Sequence, residues 1–178
     1  DVETWKEGAT AGQGKFFIID SDRAIQYIST PYDNDINLYN ERLNKTYRGY
    51  GSMGEAKKMN QMNQDVNAAS IGLANMAERA RSKASYAYNN STWDLVDKYK
   101  EDKSVIEKLK KEELPIEYQG LSTTEIKISI DKTIREREDI TKTIGALSLK
   151  RQAYLESQTS KSDDDLGSAI EVSILELA

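Results

Sequence analysis

The sequence predicts a mainly α-helical protein: a long antiparallel, coiled-coil-like helical hairpin, with shorter helices and a small N-terminal β-hairpin. Three observations carry this expectation. Apolar residues recur at a 3,4 spacing along two long stretches. Only 2 of the 178 residues are proline, Pro31 and Pro115, so long stretches are free to be helical. Charged residues make up 31% of the chain and hydrophobic residues 38%, a balance that suits long solvated helices better than a thick globular core.

The elements follow in chain order. "VETWKEGATAGQG" reads as a helix with Trp5 and Ala9 on its apolar face, stopped by Gly12 and Gly14. "FFII", Phe16 to Ile19, lacks polar alternation and reads as a strand buried on both faces, and "AIQYIS" alternates like its hairpin partner. One helix and one hairpin cannot cover both faces of "FFII", so the rest of a sheet or a partner chain is expected. "TPYDNDINLYNERLNKTY" opens a helix with Thr30 as cap, Pro31 at the first helical position and Asp33 in the first turn. Tyr32, Ile36, Tyr39, Leu43 and Tyr47 form its stripe.

A second helix starts near Gly54. Met59, Met62, Val66, Ala69, Leu73, Met76, Ala80 and Ala87 keep a 3,4 spacing along it, Lys83 interrupts the stripe, and Gly72 is a point where it can break or kink. Ser91 is placed to cap a short helix anchored by Trp93, Val96 and Tyr99, and a further amphipathic turn ends at Pro115. "GLSTTEIKISI" then holds a capping box, Ser122 with Glu125, and a hydrophobic staple, Leu121 with Ile126. From there Ile126, Ile130, Thr133, Arg137, Ile140, Ile144, Leu147, Arg151 and Tyr154 form a heptad-like seam. A helix over about 122 to 157 would run roughly 50 Å. A polar loop, 157 to 165, and a short amphipathic helix close the chain. The two long helices, joined by about thirty residues of short elements, suggest the hairpin.

Composition excludes several chemistries. Cysteine and histidine are both absent, so no disulfide, thiolate nucleophile, Cys/His zinc site or histidine-based triad can form. The formal net charge is -5 and the basic residues are interleaved with acidic ones, which argues against nucleic acid. The longest apolar run, "FFII", is far short of a membrane span, so no membrane insertion is expected.

The short motifs yield no site. Gly49-x-Gly51-x-x-Gly54 has dinucleotide-binding spacing, but it lies between helices where that fingerprint needs a preceding strand. A helix–helix turn with positive φ at one or two glycines is expected instead, and no nucleotide. "SIDK", Ser129 to Lys132, matches a Ser-x-x-Lys spacing without its companion motifs. "SDDD", 162 to 165, could gather a hard cation, though a solvated helix N-terminus is the favoured reading. Asp94 and Asp97 lie one turn apart, but a capping role for Asp94 and an exposed pair are expected, with no displaced pKa. Asn44-Lys45-Thr46 and Asn90-Ser91-Thr92 are glycosylation triplets, meaningful only in a eukaryotic secretory setting. Met59, Met62 and Met76 read as packing. Arg137 and Arg151 interrupt an apolar seam: they either pair with acidic residues on a facing helix and set register, or snorkel outward. No catalytic, cofactor-binding or metal-ligating residue is assigned.

The stretch from "WKEGATAGQGKFFIID" to "NERLNKTYRGYG" resembles the end of a bacterial von Willebrand factor type A (VWA) domain running into a C-terminal helical extension. "QDVNAAS", "ERARSKAS", "NNSTWDLVD" and "KRQAYL" are similar to that extension. The resemblance implies that residues 1–29 are the remnant of an α/β domain, with "FFIID" its last strand, and that 30–178 are the extension. The opening "DVETWKEGA" then reads as a processed or excised segment. Such domains bind a divalent metal through Asp-x-Ser-x-Ser; this chain has none, so no metal residue is carried over. What is implied is a non-enzymatic scaffold or protein-interaction module at the bacterial cell envelope. The alternatives are a self-associating coiled-coil element and a carboxylate-only hydrolase.

Overall fold

The computed structural model describes residues 2–12, 14, 16 and 28–158. Those residues are mainly helical: seven α-helices and two short 3-10 turns, with no strand among them. The expected β-hairpin over 15–28, apart from Phe16 and Ile28, lies outside the described residues, as do "SDDD" and the closing helix. The chain divides into two units, one made of Asp1–Gln26 with Glu156–Ala178, the other Tyr27–Leu155. In the first unit, α1 spans Val2–Ala11, and Gly12 and Gly14 donate back to the carbonyls of Gly8 and Ala9 as the helix ends.

The second unit begins with a turn. Thr30 donates from its N–H and hydroxyl to the two oxygens of Asp33, so α2, Asp33–Asn44, starts two residues later than Pro31 at the first position would have placed it. Its stripe is as expected: Ile36, Leu43 and Tyr47 are buried, with Tyr32 and Tyr39 packed alongside. The glycine run then forms the expected connection. Gly51 has φ 69, and a Cβ on Gly49 would lie 2.7 Å from the carbonyl carbon of Gly54, so the backbone crosses itself where only glycine fits. The segment is pinned to residues 93–95 by bonds from Tyr50 N–H to the Trp93 carbonyl (2.9 Å) and from Leu95 N–H to the Arg48 carbonyl (2.8 Å).

The first of the two expected long helices does not form. Gly72, at φ 149, divides it into α3, Gly54–Ile71, and α4, Leu73–Lys83. The space around Gly72 is open, so the need for glycine is conformational. The two halves fold back on each other: Asp65 reaches Lys83 at 2.7 Å, although a straight helix would separate them by about 27 Å. The expected hairpin of two long helices is therefore replaced by a short hairpin, α3–α4, and one long helix.

That long helix is α7, Thr123–Gln158, at 36 residues about 54 Å long. Ser122 and Glu125 form the reciprocal capping box at its start. Its seam points inward as predicted: Ile126, Ile130, Thr133, Arg137, Ile140, Ile144 and Arg151 are buried, and Leu147 and Tyr154 half-buried. The cross-helix bonds set directions. Asn37 meets Leu73 and Asn40 meets Lys83, so α2 and α4 run parallel. Arg151 meets Asp33 while Arg137 meets Thr46, so α7 runs antiparallel to α2. Ile140 and Ile144 of α7 share a core with Ile36, Leu43, Tyr47, Ala77, Ala80 and Trp93. The small alanines let α4 approach closely.

Between α4 and α7 lie α5, Leu95–Glu101, and α6, Val105–Lys108, followed by the 3-10 turns at Lys111–Glu113 and Ile116–Tyr118. Leu95, Val96, Tyr99, Val105, Ile106 and Tyr118 form a second core with Ile126 and Ile130 of α7. Fully burying each of these aliphatic side chains contributes about 1.5–3 kcal/mol. Asp94, not Ser91, caps α5, accepting the Asp97 N–H at 3.0 Å.

Candidate functional site

The interior of the second unit holds three polar clusters. In the first, the Arg137 guanidinium donates to Asp94 (2.7 Å), Asp97 (2.8 Å), the Thr46 carbonyl (2.7 Å) and the Thr46 hydroxyl (3.0 Å). In the second, Arg151 joins Asp33 at 2.7 Å and also Glu78. Both seam arginines thus pair with acidic residues on neighbouring elements and do not snorkel outward. The expected exposure of the Asp94–Asp97 pair does not hold. Asp94 is fully buried, and burial pushes the Asp97 carboxyl above its ordinary value against the pull of Arg137. The reason is that α5 caps itself with the carboxylate that Arg137 needs, which draws the helix start into the core.

The third cluster joins α2, α3 and α4. Lys83, fully buried, donates to Asn40 at 2.9 Å, to Asp65 at 2.7 Å and to Asn44. Asp65 also accepts from Asn40 (3.0 Å), Asn44 (2.7 Å) and Arg79. Burial pushes the Asp65 carboxyl up, but the hydrogen bonds from Lys83, Asn44 and Asn40 outweigh it and hold the group below its ordinary value. Burial pushes the Lys83 ammonium down to about 8, opposed by Asp65, so the pair is ionic at neutral pH. Sequence reading missed this cluster and took Lys83 as an interruption. The available signal was polar recurrence at i, i+4 on three helices: Asn40 and Asn44, Gln61 and Asp65, Arg79 and Lys83.

A cavity of about 410 Å³ opens beside these groups, lined by Tyr47, Lys83, Tyr88, Asp97, Arg137 and Glu138 among others. Its two buried cations are spent, because all three Lys83 donors and every Arg137 nitrogen have protein partners, while the exposed Lys100 reaches Glu138 at 3.3 Å. The arrangement is a set of cross-braces between helices. Among the described residues no cluster of three or more carboxylates could hold a metal ion, and no helix is long and apolar enough to cross a membrane. Asn44 and Asn90, the acceptors of the two glycosylation triplets, are turned inward, half-buried and buried. Gly49 to Gly54 is preceded by the helix α2, which ends at Asn44, where a dinucleotide fold places a strand. Ser129 accepts or shares a hydrogen bond with the Tyr118 hydroxyl at 3.3 Å, within a helix.

The clusters have a consequence on the surface. They hold α3 with its polar side inward, Gln61 5% and Asp65 4% exposed. Its apolar side faces out: Met59 is 56% exposed, Met62 43% and Val66 65%, with Ala69 continuing the row. The expectation that the methionines at 59 and 62 are core packing is overturned; Met76 alone of the three is half-buried. No family model matches the chain, and comparison with curated proteins and with solved structures likewise finds no match.

Proposed function

We propose that this chain is a non-enzymatic helical scaffold that binds another protein through the outward face of α3, and that it forms the C-terminal extension of a VWA domain at the bacterial cell envelope. Residues 1–29 are the end of that domain in this reading, and 30–178 the extension. The observation that carries the interaction role is the row Met59, Met62, Val66 and Ala69, left outward by a helix whose inward side is committed to ion pairs. Contiguous exposed apolar rows of this kind mark interaction surfaces, and methionines suit them because they adapt to a partner's contour. The braced interior supports a scaffold: two arginines and a lysine tie α2, α3, α4, α5 and α7 into one frame.

The test is site-specific photo-crosslinking in the native host. A photoreactive residue at position 66 should give a discrete protein adduct, and one at Leu149, at least as exposed on α7, should not. Equal adducts at both positions, or none at 66, would contradict the reading.

A further inference from the structure

The outward row of α3 has an internal symmetry. Met59 and Ala69 are equidistant from position 64, and so are Met62 and Val66. If two copies of α3 meet antiparallel about that point, Met59 of each faces Ala69 of the other, and Met62 faces Val66. Each long side chain meets a shorter one, the large-against-small matching that closes helix seams. A two-fold axis requires such self-complementarity. We infer that the occupant of this face is a second copy of this chain, paired through α3 in antiparallel register; the inference rests on the interaction reading above and names its partner.

Charge supports the same occupant. From Met59 to Ile71 the one ionisable residue is Asp65, which is buried within its own chain. The flanks of the row are Asn60, Asn63, Asn67 and Ser70, so two copies meet without like-charge repulsion, and nothing on the face selects an acidic or basic partner. The charges that border the row at its N-terminal end are Glu55, one turn before Met59 on the same stripe, and Lys58. There Lys58 opposes its own helix dipole. In the antiparallel pair Lys58 lies opposite Ser70 of the second copy, beside the carbonyl-rich C-terminal end of that helix, where a cation is favoured. The row spans about three helical turns, so the contact falls at or below the low end of specific interfaces, about 1,200 Å² in total, and association is weak and concentration-dependent.

The chain has no cysteine, so introduced pairs report cleanly. Met62→Cys and Val66→Cys chains are prepared separately, then mixed in the full-length protein at high micromolar concentration under mild oxidation. The inference expects disulfide-linked dimers in the mixture at several-fold the yield of either variant alone, and of a mixture of Met62→Cys with Leu149→Cys. Wild-type sedimentation should show a dimer that grows with concentration and is lost in Val66→Lys, whose circular dichroism is unchanged. Cross-linking no better in the mixture than in the controls, or a chain that stays monomeric at every concentration, would overturn the second-copy inference. In that event a photo-adduct at position 66 with a different protein would leave the interaction reading standing, and its absence would remove both.

Discussion

Helices α3 and α7 carry the same apolar spacing and use it in opposite ways. In α7 the row Ile126, Ile130, Ile140 and Ile144 is buried, and the two arginines within it reach acidic partners. In α3 the row Met59, Met62 and Val66 faces out, and Gln61 and Asp65 face in. Periodicity locates a stripe on a helix; it does not say which side the rest of the fold covers. In α3 the side is chosen by Lys83 and Arg79, which need a carboxylate, and Asp65 supplies it. Leaving Lys83 buried without that anion would cost several kcal/mol. Exposing two methionines and a valine forgoes less, because partly exposed side chains lose only part of their transfer energy.

The comparison breaks most directly at Asp65. Asp65→Asn removes the anion shared by Lys83 and Arg79, and stability at neutral pH should fall by about 3–5 kcal/mol in urea titration. The pH profile adds a sign. The Asp65 carboxyl lies below 3.8 in the folded protein, so the unfolded chain binds this proton first as pH falls. The stabilisation is whole above 3.8 and is lost as pH drops through the folded value. The acid limb of the stability curve should therefore be shallower in Asp65→Asn. An unchanged midpoint and an unchanged limb would show that α3 is not oriented by this pair.

A smaller effect sharpens the contrast between the rows. Ile144→Ala should cost about 2–5 kcal/mol, because Ile144 is fully buried in the core beneath α2 and α4. Val66→Ala should change monomer stability by no more than about 0.5 kcal/mol. Equal costs would mean that the two rows are equally buried.

The same contrast explains what could be read in advance. The helices themselves were legible: Ser122 and Glu125 mark the start of α7, Pro31 and Asp33 place α2 within two residues, and the glycines at 49 to 54 mark a turn. The seam of α7 was legible because its isoleucines keep helical spacing over several turns, while the apolar residues off it, such as the exposed Ile128 and Leu149, are scattered. The site was not. Gly72 was visible as a weak point, but a full reversal depends on whether distant residues reward it, and Asp65 meets Lys83 and Asn40 only after the chain has folded back. The burial of Asp94 and Asp97 was missed for the same reason: their partner, Arg137, lies 40 or more residues away.

The central claim is that α3 presents its apolar row outward, and the four methionines report on it. Dilute peroxide oxidation at low protein concentration, followed residue by residue by mass spectrometry, ranks their exposure. Met53, Met59 and Met62, at 57%, 56% and 43% exposed, should oxidise at similar rates, and the half-buried Met76 several-fold more slowly. Met59 and Met62 reacting as slowly as Met76 would place the row inside the protein and contradict the account.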